Sequence, residues 1–214
     1  EGSDTNRCWT AFADIRKPGK IAHNSRVEKI SPPAGASGTA YTCGQILNTP
    51  YVIWSSGKVY GRKESDGTWY SGVDFSLTPV GKPVAYQNKL FVPCGSSGYA
   101  IISEADSVAN PGVPTVTNVT TGVIPYPAAY DKDAPDVNPP TAIAFRVFDQ
   151  KLWALTTGGA LVWSFTGADD TWSWVTQYDE SRAWYPRVQS GETPKRIIPF
   201  PNPEGITKLY VTTD

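Results

Sequence analysis

The sequence predicts an all-β protein made of repeated antiparallel sheets, and three features support this fold class. Short runs rich in Val, Ile, Trp, Tyr and Phe alternate with turns rich in Gly, Asp and Asn. The chain contains 19 Gly and 19 Pro but only 18% charged residues, a composition typical of turn-rich β proteins. No segment keeps a helical apolar period over three turns, so we expect no long helix.

Residues 142–175 show the predicted unit most clearly. Four β-rich runs are separated there by short polar turns, which is the pattern of a four-stranded antiparallel meander. Leu152 and Ala154 should point to one face of their strand. Trp153 and Leu155 should point to the other. Because both faces are apolar and no crossover helix is expected, we predict that another sheet covers each face.

A short pattern of Lys, Leu and an aromatic residue recurs along the chain. It occurs at residues 89–91, 151–153 and 208–210, and residues 52–54 match it loosely. Allowing for loop insertions, about 40 to 50 residues make one four-stranded unit, which is the length of a propeller blade. The repeat therefore predicts a β-propeller of four-stranded antiparallel blades.

We predict that residues 1–214 form one propeller domain or part of one. Residues 1–40 form an irregular hairpin region, and the blades occupy residues 41–79, 80–124, 139–178 and, in part, 193–214. About 3.5 to 4 blades are then visible, fewer than most closed rings contain, so we predict an incomplete ring. Further chain segments, the N-terminal strands or neighbouring subunits would complete it, because open sheet edges promote aggregation. A compact ring of four irregular blades is the alternative.

Two short motifs extend the likeness to propellers. The sequence resembles tectonin-type lectin repeats at residues 52–54, 59–62 and Trp69. Residues 66–69 and 169–172 resemble the Asp-box turn of sialidase-like propellers, although the first is one residue short and the second lacks Gly. The resemblance lies at the level of the fold and covers residues 40–214. It implies glycan binding in the first case and a glycoside-acting enzyme in the second.

Charge and hydropathy restrict the partners. The net charge of −1 argues against nucleic-acid binding, which requires a basic surface, and against attachment to anionic lipid. No apolar run approaches the length of a membrane span, so we expect no membrane insertion. We favour an extracellular or virion-associated protein over a cytoplasmic one.

The three cysteines and an acidic loop are candidate chemical sites. Cys8, Cys43 and Cys94 lack metal-ligand spacing, so we expect buried thiols, with a Cys8–Cys43 disulfide as the alternative in a secreted protein. Three aspartates offer the oxygen ligands that Ca²⁺ prefers. They are Asp131, Asp133 and Asp136. The loop lacks the Gly and the terminal Glu of a calcium loop, so we interpret it as a solvated acidic loop and expect no cofactor.

The aromatic residues near turns and on outer strands are the better candidates for binding. Aromatic faces beside Arg and carboxylate groups suit sugar or protein recognition, although they also fill gaps between blades. Arg62 and Glu64 should share a strand face beside Trp69, and this trio is the preferred ligand site. The candidate ligand-binding residues are Arg62, Glu64, Trp69, Tyr70, Trp172, Trp184 and Arg187.

These observations favour a non-catalytic recognition or assembly module that binds a protein surface or a glycan. One alternative is a structural component of a large assembly such as a virion or phage tail, where neighbours complete the ring. A second is a sialidase- or glycosidase-like enzyme. That chemistry requires two carboxylates about 5 to 10 Å apart, and the sequence does not pair any.

Overall fold

The computed structural model describes residues 31–63, 65–104, 113–120, 139–164, 192–201 and 203–213. The chain divides into two units, Glu1–Pro32 and Pro33–Asp214, and every strand described below belongs to the second. The described residues contain 13 strands, all paired antiparallel, and no α-helix. The predicted all-β class with four-stranded antiparallel sheets is confirmed.

Four open sheets follow one another along the chain, and strands adjacent in sequence pair with each other. Sheet 1 contains β1 (Ala40–Ile46), β2 (Thr49–Trp54), β3 (Lys58–Gly61) and β4 (Val73–Asp74). Sheet 2 contains β5 (Val84–Tyr86), β6 (Lys89–Pro93), β7 (Tyr99–Glu104) and β8 (Pro114–Val119), with a 3-10 turn at Gly95–Ser97. Sheet 3 contains β9 (Ala142–Phe148), β10 (Lys151–Thr156) and β11 (Leu161–Trp163). Sheet 4 contains β12 (Pro194–Pro201) and β13 (Thr207–Thr213).

The first hairpins of sheets 2 and 3 share one turn geometry. Gln87 and Asn88 join β5 to β6 with φ of 47° and 57°, and Asp149 and Gln150 join β9 to β10 with φ of 50° and 57°. Two successive positive φ angles are typical of the type I′ turn, whose twist matches that of paired strands. The polar turn predicted between the first two runs of residues 142–175 is confirmed by Asp149 and Gln150.

Consecutive sheets contact each other in chain order, and corresponding strands meet. The first strand of each sheet contacts the first strand of the next: β1 contacts β5, β5 contacts β9, and β9 contacts β12. At the other end of sheets 1 and 2, β4 contacts β8. The contacts therefore run from sheet 1 to sheet 4 without skipping a sheet.

Three apolar layers fill the spaces between consecutive sheets. Layer 1, between sheets 1 and 2, includes Ile53, Val59, Leu90, Val92 and Ile102. Layer 2, between sheets 2 and 3, includes Phe91, Tyr99, Phe145, Leu152 and Ala154. Layer 3, between sheets 3 and 4, includes Leu155, Leu161, Ile197, Leu209 and Val211. Burying one such side chain stabilises a fold by about 1.5 to 3 kcal/mol, so these layers hold the sheets together.

Strand β10 is covered on both faces, as its sequence predicts. Leu152 and Ala154 lie in layer 2, whereas Trp153 and Leu155 lie against layer 3. The fourth strand expected near residues 171–175 lies outside the described residues.

The strand expected over residues 68–73 is shorter than the sequence suggests. Trp69 forms an isolated bridge with Arg62, and the ladder resumes only in β4. Between these points Gly72 lies against the ring of Tyr60, where a Cβ would stand 2.6 Å from a ring carbon. The ring of Tyr60 thus occupies the space that a side chain at position 72 would need.

The counterpart of the Lys-Leu-aromatic pattern in sheet 1 also differs from the prediction. Counted from the turn between the first two strands, residues 49–51 (Thr-Pro-Tyr) correspond to residues 89–91. Tyr51 pairs with the third residue before its turn, as Phe91 does. The alignment with residues 52–54 is therefore wrong. It equates Ile53, which faces the following sheet, with Leu90, which faces the preceding sheet.

Candidate interaction surfaces

The hairpin that follows β3 brings together three of the predicted ligand-binding residues. Arg62 and Trp69 are bridge partners, and Tyr70 N donates to Gly61 O at 2.9 Å. Arg62, Trp69 and Tyr70 are each half-buried. The third member of the preferred trio, Glu64, lies outside the described residues.

A short loop closes this hairpin and binds the arginine. Asp66 Oδ1 accepts hydrogen bonds from Thr68 Oγ1 at 2.7 Å and from Thr68 N at 2.9 Å. These bonds lower the pKa of the Asp66 carboxyl, since they favour its charged form. Arg62 Nε donates to Gly67 O at 3.0 Å. Arg62 therefore stabilises its own loop, a role the sequence did not suggest.

The hairpin carries charged and aromatic side chains. Lys63 Nζ lies 5.2 Å from the centre of the Tyr70 ring, a cation–π contact worth about 0.5 to 1 kcal/mol at an exposed site. Together with Arg62 and Trp69, this pair forms a small partly exposed cluster. Its assignment as a ligand site stays a prediction.

The remaining candidate binding residues fall outside the described part of the chain. They are Trp172, Trp184 and Arg187, and the possible calcium ligands Asp131, Asp133 and Asp136. Within the described ranges, no three His, Cys, Asp or Glu side chains come together in a way that could hold a metal ion. In the same ranges no helix has the length and apolar character needed to cross a membrane.

The two described cysteines differ in environment. Cys94 is buried in layer 1, and burial raises the pKa of its thiol to about 11. Cys43 is a free thiol exposed on β1, so the expectation of a buried thiol is wrong there. Its neighbours Gly44 and Ile46 lie towards sheet 2, which turns Cys43 to the opposite face of sheet 1. Cys8 lies outside the described residues.

Among the described residues, three exposed large apolar side chains lie together on sheet 4, and sequence reasoning missed them. Ile198, Phe200 and Tyr210 are 41%, 62% and 45% exposed. Ile198 pairs with Tyr210 across the two strands, and Phe200 pairs with Lys208. The rings of Phe200 and Tyr210 meet edge to face at 6.4 Å. We call this surface, with Arg196 at its end, the terminal face.

The terminal face lies on the side of sheet 4 away from sheet 3. Ile197, Leu209 and Val211 alternate with its residues and lie in layer 3. Side chains at successive strand positions point to opposite faces. Sheet 4 therefore has two apolar faces, of which only one is covered within the described residues.

Four aromatic residues at corresponding strand positions differ in how far they are buried. They are Tyr51, Phe91 and Trp153, each directed towards the following sheet, and Tyr210, directed away from sheet 3. Tyr51 and Phe91 are 1% and 0% exposed, Trp153 is half-buried, and Tyr210 is exposed. The repeated Lys-Leu-aromatic pattern was the signal that could have located the terminal face, because it marks Tyr210 as a position buried in earlier copies.

Comparison with known proteins adds no family to these observations: no protein-family model matches the chain, and no curated protein matches it.

Proposed function

We propose that the chain is a non-catalytic assembly module, built as part of a β-propeller, that binds a protein surface through its terminal face. Two features support the propeller architecture. Consecutive antiparallel sheets, the first two of them four-stranded, contact each other in chain order, and their first strands are neighbours. Both arrangements are typical of blades around an axis.

The observation that carries the binding function is the exposed terminal face. Contiguous exposed apolar patches on soluble proteins usually mark interaction sites. The face offers two aromatic rings and an aliphatic side chain, with Arg196 and Lys208 beside them. Aromatic residues and Arg are enriched where protein interfaces bind most strongly.

A protein fits this face better than a glycan. Sugar sites combine an aromatic platform with several polar groups that fix the hydroxyls in a concave pocket. The terminal face is one side of a two-stranded sheet, and the pair Ile198 and Tyr210 lies at its centre. The glycan hypothesis suggested by the lectin-like motifs therefore finds less support here than protein binding does.

The test is the double substitution Phe200→Glu with Tyr210→Glu. Static light scattering should show net attraction between wild-type molecules and lose it in the double variant, because charges replace the apolar contact. A fluorescent dye that binds apolar surfaces should bind dilute wild-type protein more strongly than the variant. Val80→Glu is the matched control, since Val80 is 55% exposed but lies outside sheet 4.

Circular dichroism should confirm that all three proteins keep their strands. If the double variant matched the wild type in both scattering and dye binding, the terminal face would not be an interaction surface. If Val80→Glu abolished either signal to the same extent, the effect would be one of charge alone and the assignment would also fail.

A further inference from the structure

We propose that the terminal face of one copy packs against the outer face of sheet 1 in a second copy, so that two copies close into one ring. This inference rests on the proposed function and names its partner. The outer face of sheet 1 is defined here by Cys43, Val52 and Trp54, which point away from sheet 2. Tyr41, the extra residue of a β-bulge, lies at its end.

Sheets 2, 3 and 4 each pack one face against the preceding sheet. The corresponding face of sheet 1 is its outer face, and no sheet of the described residues covers it. Tyr41 is 54% exposed and Cys43 is exposed, while Val52 and Trp54 are half-buried. The indole Nε1 of Trp54 is buried without a hydrogen-bond partner. Buried donors in proteins are normally paired, so Trp54 is an unsatisfied position of this sheet.

The internal layers show how such faces combine. In layer 2, Phe91 and Tyr99 of sheet 2 meet Leu152 and Ala154 of sheet 3. Each layer joins the forward face of one sheet, which carries its aromatic residue, to the rear face of the next. After three layers, the described sheets leave one forward face, the terminal face, and one rear face, on sheet 1, that no other described sheet covers.

Because both uncovered faces belong to the same chain, the terminal face of each copy can pack against the outer face of sheet 1 in the other. A contact between different surfaces of identical molecules forms a ring if the rotation closes and an open filament if it does not. The described part of each copy contributes four sheets, and two copies therefore contribute eight. Rings of about four to eight blades are the usual range, so a closed pair reaches the size at which rings are complete.

Strand order indicates which strands of the two copies should be neighbours. Within the chain, the first strands of consecutive sheets are in contact. By the same rule β12 of one copy should lie against β1 of the other. Arg196 on β12 and Cys43 on β1 should then lie on neighbouring strands of two sheets about 10 Å apart, the spacing of packed sheets.

Native Cys43 allows a direct test in full-length protein. Arg196→Cys, made in a Cys8→Ser background, adds one thiol at the edge of the terminal face and leaves its three apolar residues intact. A short bis-maleimide that spans about 10 Å should join position 196 to Cys43. Mixing nitrogen-15-labelled with unlabelled protein should show by mass spectrometry that the link is between copies. Lys82→Cys, exposed and on neither face, is the matched control.

Light scattering should give twice the chain mass of 23.2 kDa for wild-type protein and the single chain mass for Phe200→Glu with Tyr210→Glu. A wild-type mass of one chain at every concentration would overturn the inference. So would a 196-to-196 link, which means that two terminal faces meet, or a mass that grows without limit, which means an open filament. In these cases the proposed function still stands if the double variant loses dye binding. Only equal dye binding and equal scattering would remove both proposals.

Discussion

Tyr51 Oη donates a hydrogen bond to Glu104 Oε1 at 3.1 Å, and this bond joins β2 of sheet 1 to the end of β7 in sheet 2. Tyr51 is almost fully buried in layer 1. Burial and the nearby Glu104 charge both raise the pKa of the phenol, burial being the larger cause. The pair is therefore a polar link between two sheets whose shared layer is largely apolar.

Tyr51→Phe should lower the free energy of unfolding by about 1 to 2 kcal/mol, because it removes a hydrogen bond to a charged group and leaves the ring in place. Urea denaturation followed by tryptophan fluorescence measures the change. Tyr41→Phe is the control, since that side chain is 54% exposed, and it should change stability by less than about 0.5 kcal/mol. Equal effects of the two substitutions would contradict a specific link between the sheets.

The raised pKa of Tyr51 also predicts how stability changes at alkaline pH. The phenol in the unfolded chain ionises near pH 10, as an ordinary tyrosine does, while in the folded chain it stays protonated to higher pH. The unfolded state then binds fewer protons than the folded state, so stability falls as pH rises above about 10. Below about pH 9 this group should have no effect on the slope.

Tyr51→Phe should remove this part of the alkaline loss. The measurement is the free energy of unfolding of wild type and variant from neutral pH to about pH 11. The difference between them should shrink as pH rises above 10. A difference that stays constant across this range would mean that Tyr51 has the same pKa in both states.

Corresponding aromatic positions should differ in their contribution to stability. Phe91→Ala should cost about 3 to 5 kcal/mol, because Phe91 is fully buried in layer 2 and its removal leaves a cavity. Tyr210→Ala should cost about 1 kcal/mol or less in dilute protein, because Tyr210 is largely exposed and loses mainly its contact with Phe200. Denaturation at low protein concentration compares the two. Similar losses would show that the terminal face is covered.

Gly98 should tolerate no side chain. Its φ is 89°, and a Cβ there would stand 2.2 Å from the backbone oxygen of Val119 on the neighbouring strand. Gly98→Ala should therefore cost about 3 kcal/mol or more, from backbone strain together with displacement of β8. Gly35→Ala is the matched control, because Gly35 also has a positive φ, 76°, but has no neighbour within 4 Å. It should cost about 1 kcal/mol. Equal costs would argue against crowding at Gly98.

The two described thiols should react at very different rates. Cys43 is exposed, whereas Cys94 is buried and its pKa of about 11 keeps it protonated at about pH 8. A thiol-specific reagent should label Cys43 quickly in folded protein and Cys94 only after denaturation. Peptide mapping by mass spectrometry separates these sites from Cys8. Rapid labelling of Cys94 in folded protein would show that layer 1 opens readily.

Local pattern was sufficient to predict the strands and several turns. The alternation around Trp153 predicted a strand covered on both sides, because side-chain direction in a strand has a period of two and depends only on neighbouring residues. The position of Gln150 in a tight turn followed from the polar residues between two apolar runs. The candidate residues Arg62 and Trp69 were also predicted to lie together, and they are bridge partners.

The sequence by itself thus determined the all-β class, the alternating faces of the strands and the repeat, since these depend on short-range order along the chain. Only the tertiary structure decided which copies of the repeat are covered. Phe91 and Tyr210 occupy corresponding positions in similar local sequence, yet one is buried and the other exposed. Burial depends on whether another sheet lies within about 10 Å of that face, and no local pattern of residues specifies a neighbour distant in the chain.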